Sequence, residues 1–132
     1  MDEANTAEQI VRASVEAYNR HDLDGCMSFL APDATWELMG AGGQALSPEE
    51  LRIAFWQYVL RDVQVDIRQL TVMGPYVAAE YIQSYTDDAT DRRLSAPIAC
   101  IYEVRDGLIR QVRQYFHPSW DRPESTEEKG EG

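Results

Sequence analysis

Near neutral pH, few side chains in this chain can exchange a proton or hold a metal: two histidines, two cysteines and scattered carboxylates. His117 is the best placed of them. It stands in "VRQYFHPSW", where an alternating apolar–polar run stops. Pro118 ends the run because it has no amide hydrogen for a ladder, and it biases His117 toward extended backbone. An unperturbed imidazole titrates near about 6.5, so His117 could serve as a general base. The plain alternative is a polar strand end in solvent. His21, in "NRHD", reads as a solvated connector between helices. Cys26 and Cys100 belong to no CxxC or Cys/His cluster, so they read as two buried thiols with no metal site. The glycines of "GAGGQA" lack the lysine and the strand-to-helix setting of a phosphate cradle. No metal and no cofactor is expected.

The elements that must position these residues are marked by local signals. "TAEQ" at Thr6 to Gln9 has the form of a capping box, and Ile10, Val11, Ser14, Val15 and Tyr18 follow at helical spacing. Asp22 can cap a short second helix, "LDGCMSFL", weakened by Gly25. "APDA" reads as a turn and "TWELM" as a strand. "SPEE" is the strongest helix start in the chain: Ser47 caps, Pro48 takes the first position, and Glu50 closes the box. The helix that follows, "PEELRIAFWQYVL", carries apolar residues on two stripes and should be covered on more than one side. Four strands come next. The first, "VQVDIRQLTVM", changes phase near Arg68–Gln69, which implies a β-bulge, and "RDG" is a tight hairpin turn before the last. Three N-terminal helices on a curved antiparallel sheet make an α+β fold whose cone is a ligand pocket.

Composition narrows the partners. The chain is 44% hydrophobic and 27% charged, as expected of one globular domain, here residues 1–120. Its net charge of −11 repels phosphate backbones and anionic headgroups, which argues against nucleic acid and membranes as partners. Residues 121–132, "DRPESTEEKGEG", hold five acids and two bases and read as a disordered acidic tail. The acidic opening "MDEANTAEQ" is no secretory leader, so a cytoplasmic location is expected.

"AYNRHDLDGCMSFLAPDATWELMG" and the closing "DGLIRQVRQYFH" resemble the nuclear-transport-factor-2-like superfamily, in which "YNxxDxD", "LxxDAxWE" and "DGxIxxxxxYFD" recur. That group includes ketosteroid isomerases, limonene epoxide hydrolases and SnoaL-type polyketide cyclases. The resemblance spans Thr6 to Trp120 and implies the conical fold. The family's catalytic groups are replaced here. The isomerases' base aspartate falls on Leu38, their helix tyrosine on Ser14 and the aspartate of their "APID" on Ala99. The epoxide hydrolases' Arg-x-Asp falls on Tyr81 and Gln83, and the aspartate that ends their last strand falls on His117. Neither mechanism carries over intact.

The same alignment, with strand parity, implies a pocket lining of Ser14, Tyr18, Trp36, Leu38, Phe55, Tyr81, Gln83, Ala99, Ile101 and Glu103. The alignment offers His117 as base, but alternation sets Val112, Gln114 and Phe116 on one face and His117 on the other, so a bulge near the strand end would be needed to bring it inward. For Glu103 a surface ion pair with Arg110 or Arg113 is the competing reading. The lining would suit a small, mostly apolar organic ligand such as a polyketide- or terpenoid-like compound. The expected function is a cofactor-independent isomerase, cyclase, dehydratase or hydrolase; the alternative is a non-catalytic binding or assembly module. Apolar residues assigned to the other sheet face, Ile82, Ile98, Cys100, Tyr102 and Phe116, would pair two copies into a homodimer.

Overall fold

The computed structural model of the protein describes residues 3–39 and 44–116. His117, Trp120 and the acidic tail lie outside the described residues, as do the glycines of "GAGGQA". Three helices, α1 (Glu3–Asn19), α2 (Leu23–Ser28) and α3 (Pro48–Leu60), accompany six strands. These are β1 (Leu30–Met39), β2 (Gln44–Leu46), β3 (Gln64–Met73), β4 (Tyr76–Thr86), β5 (Arg93–Arg105) and β6 (Leu108–Phe116). They form one sheet in the order β2-β1-β6-β5-β4-β3. The α+β class is as expected: α1 packs across β3 to β6, and α3 lies against β1 and β2.

The cap of α3 forms as its sequence demands. The Glu50 amide donates to Ser47 Oγ at 3.2 Å, and the Ser47 amide donates to Glu50 Oε1 at 2.9 Å. Asp22 caps α2 by accepting from the Gly25 amide at 3.0 Å. The carboxylate lies close over Gly25: a Cβ there would be 2.3 Å from Asp22 Oδ2, so any larger residue would make the capping side chain shift. Asn19, the last residue of α1, behaves like a fragment of strand. Its side chain donates to the Val65 carbonyl and accepts from the Val65 amide, both at 2.9 Å, which ties the helix end to β3. The bulge falls where the phase change put it, with a register shift between Ile67 and Gln69. The "RDG" turn places Asp106 and Gly107 at positive φ, 55° and 77°, the pair of values a type I′ hairpin needs.

Five expectations are corrected. The helix α1 starts at Glu3, so "TAEQ" lies inside it and is not its cap. "APDA" is not a turn: Pro32 and Asp33 sit within β1, in an irregular stretch between its pairings at Leu30 and Thr35. There β1 pairs in parallel with β6, a contact no local pattern announces, so the sheet is mixed. A short strand, β2, follows "GAGG" and pairs with β1 through Trp36↔Leu46 and Leu38↔Gln44. Within one copy of the chain the second apolar stripe of α3 is not covered by the described residues, with Ile53, Trp56 and Leu60 more than half exposed.

Candidate functional site

Between α1, α3 and the inner sheet face lies a cavity of about 50 Å³. It is walled by Ser14, Val15 and Tyr18 from α1, Cys26 from α2, and Phe55 and Tyr58 from α3. The sheet supplies Trp36, Val65, Tyr81, Gln83, Ile98, Cys100, Tyr102 and Gln114. Six of the expected ligand residues therefore meet at one place: Ser14, Tyr18, Trp36, Phe55, Tyr81 and Gln83. Leu38 lies on the same sheet face, opposite Gln114, but outside the lining.

Ala99, Ile101 and Glu103 point to the other face. The register is the reason. Tyr81 pairs with Ile98, Ala79 with Cys100 and Val77 with Tyr102. Directly paired residues share a sheet face. Once Tyr81 and Gln83 turn inward, the even-numbered residues of β5 must turn inward with them. Ile98, Cys100 and Tyr102 are accordingly buried in the core rather than presented on the outer face. Ile101 and Glu103 instead line an outer groove with Met73, Tyr76, Gln111 and Arg113. Glu103 there pairs with Arg105 at 2.5 Å, not with Arg110 or Arg113. Glu37, also on the outer face, pairs with Arg113 at 3.4 Å. His21 is more tightly held than a solvated connector: its Nε2 lies 3.1 Å from Asp62 Oδ1.

Aromatic rings shape the cavity. Phe55 is the hub, with ring centroids 5.4 Å from Tyr18, 5.6 Å from Trp36 and 6.1 Å from Tyr58. Trp36 also meets Tyr102 edge-on at 6.4 Å. The polar atoms are mostly paired with one another. Trp36 Nε1 donates to Gln114 Oε1 at 2.7 Å, and the hydroxyls of Tyr81 and Tyr102 share a hydrogen bond of 2.5 Å. Gln83 is the exception, because its Oε1 is buried with no partner.

Burial sets the electrostatics. It raises the pKa of Tyr18, Tyr58, Tyr81 and Tyr102 above the ordinary 10.0. It also pushes the Cys26 thiol up to about 11 and Cys100 up to about 12. The described lining is therefore uncharged at pH 7. It can donate and accept hydrogen bonds, but it offers no carboxylate, imidazole or amine to abstract a proton. No group of three or more His, Cys, Asp or Glu is arranged to hold a metal among the described residues, and no described helix is long and apolar enough to cross a membrane. Both cysteines are free and buried, as expected.

Known structures share this architecture. An epoxide hydrolase of the limonene type from M. tuberculosis superposes with a TM-score of 0.78 at 22% identity, covering 92% of this chain and 90% of its own. A candidate polyketide cyclase from Xanthomonas campestris gives 0.73 at 25% identity, covering 88% and 93%. A protein with a ketosteroid isomerase-like fold from Catenulispora acidiphila, solved with trimethylamine, gives 0.73 at 19% identity, covering 83% and 86%. A search among curated proteins found no significant match. The sequence signature is more specific than these superpositions, since the SnoaL-like domain profile matches residues 11–112, from the buried Val11 of α1 to the buried Val112 of β6. By that match, and by the cone that the matched residues build, the chain belongs to the SnoaL-like domain family.

Proposed function

We propose that the cone binds a small, uncharged, mostly apolar metabolite and that His117 acts on it as general base, in a cofactor-independent isomerase, cyclase, dehydratase or hydrolase reaction. One observation carries the reading: Gln114 lines an uncharged aromatic cavity near the end of β6, and His117 is the residue that follows that strand. Gln114 and Phe116 hold the inner register, so His117 would reach the cavity by a turn inward just past the strand end. The tyrosine hydroxyls would orient the ligand's oxygens. A charged ligand is disfavoured on magnitude. Burying an ion without a counter-charge costs several kcal/mol. The aromatic walls return about 2 kcal/mol to a cation and nothing to an anion. Size matters as well. A water needs roughly 10–15 Å³ measured this way, so the cavity takes only a few non-hydrogen atoms as it stands. A polyketide- or terpenoid-sized ligand would have to displace Phe55 and Tyr58 on α3.

The test follows the imidazole signals of His21 and His117 by NMR while butan-2-ol is added. His117 should respond, and His21, held by Asp62 in its turn, should not. Replacing His117 with Ala should then abolish turnover once a substrate is in hand. If neither imidazole responds although the alcohol binds, the non-catalytic binding module replaces the enzyme. The absence of a carboxylate or imidazole from the described lining is what favours that second reading.

We also infer a homodimer through the outer sheet face. The apolar residues available there are Met73, Tyr76, Ile101 and Tyr115, all exposed. A patch of this kind is uncommon on a monomer's surface. Sedimentation at micromolar concentration should show twice the chain mass, and a stable monomer would refute the pairing.

A further inference from the structure

Gln83 holds the one buried polar side-chain atom without a partner among the described residues. The residue is 4% exposed and stands on β4 between Tyr81 and Tyr85, both buried. It lines the cavity, and its carbonyl oxygen is buried there without a hydrogen-bond partner. Leaving a buried acceptor unmade is costly, so a group that donates to it gains more than an ordinary hydrogen bond would.

We propose that Gln83 selects the ligand by its hydrogen-bond donor: the cone takes neutral compounds in which a hydroxyl or N–H is joined to a compact apolar body. The inference rests on the small-molecule reading above and narrows it. The donor would reach Gln83 Oε1, and the apolar body would lie among Phe55, Trp36 and Ile98. A ligand with acceptors alone would place one lone pair against another and leave Oε1 unsatisfied. Cations could donate as well, but no counter-charge lines the cavity to hold them.

The test compares butan-2-ol with butan-2-one, equal in non-hydrogen atoms and differing in the donor. Titrations of the full chain are read by NMR from the Gln83 side-chain amide and the Trp36 indole. The alcohol should bind about tenfold more tightly than the ketone. In Gln83→Leu, and in Gln83→Met as a second variant of similar length, that preference should fall below about twofold. Both variants should melt no lower than wild type, since each removes an orphaned acceptor. Equal affinities in wild type, or a preference that survives both variants, would overturn the role of Gln83 while leaving the pocket standing. A tighter ketone would mean that the amide faces the cavity with its N–H, and would overturn it too. Tighter binding of trimethylammonium than of the alcohol would overturn the neutral class. No binding of any probe would sink the pocket reading and this one together.

Discussion

Titrated upward in pH, the protein is expected to lose its folded state steeply above about pH 10, the ordinary pKa of a phenol. Tyr81 and Tyr102 are buried around the cavity and Tyr18 partly so, and desolvation raises each above the ordinary 10.0. Cys100, from an ordinary 9.0, is pushed up to about 12. The sign follows from proton counts. Below the unfolded-state pKa both states keep these protons, and the stabilisation is intact. Above it the unfolded chain releases protons that the folded chain retains, so stability falls as pH rises toward the folded-state values. Each group costs about 1.4 kcal/mol per pH unit in that window. Four acting together cost about 5 kcal/mol per unit, against a typical domain stability of about 5–15 kcal/mol. Unfolding should therefore be complete within about one to three units above pH 10. Tyrosinate absorbance and far-UV circular dichroism measured on the same samples would check it. The buried phenols should ionise only as the secondary structure disappears. Tyrosinate from Tyr81 and Tyr102 at pH 10 with an unchanged dichroism spectrum would show that water already reaches the cone.

The parts of this fold that could be read from the chain are those in which a few neighbouring residues settle the matter. Ser47, Pro48 and Glu50 are a helix start wherever they occur, and they start α3. The phase change at Arg68–Gln69 is a bulge because alternation cannot otherwise shift. Tyr81 and Gln83 reached the cavity because β4 alternates without interruption. Long-range pairings were not readable in this way. The parallel match of β1 to β6 joins residues more than seventy positions apart, and the "APDA" stretch within it looks like a turn by its residues alone. The face of β5 shows the limit most clearly. Aligning a family motif placed Ala99 inward, whereas the cross-strand register places Cys100 there. A cue was present: the set Ile98, Cys100, Tyr102 and Val104 is wholly apolar or aromatic, whereas the alternate set ends in Glu103 and Arg105. Weighing the two sets against each other would have recovered Tyr102 and its bond to Tyr81. The helix start failed for a different reason, because a capping-box pattern can sit inside a helix whose backbone already satisfies it.

Phe55→Ala should both destabilise the protein and widen what it binds. Phe55 is 6% exposed and its ring touches Tyr18, Trp36 and Tyr58, so one side chain holds three others in place. Truncating a packed phenylalanine costs about 3–5 kcal/mol, and the lost edge-to-face contacts put this site toward the upper end. Alanine's better helix propensity returns only about 0.5 kcal/mol. The melting temperature should fall by on the order of 15 °C. The void left behind would not stand alone. Phe55 borders both the main cavity and a smaller void of about 10 Å³ lined by His21, Leu23 and Val63, and removing the ring joins them. The merged space should approach the order of 150 Å³ at which an apolar cavity takes up benzene. Benzene should then raise the melting temperature of the variant and leave wild type unchanged, because only the variant's folded state binds it. Equal stabilisation of both proteins would mean that the wild-type cone already opens wide enough without the substitution. A loss below about 1 kcal/mol would mean that α3 is loosely seated and that Phe55 does not close the pocket.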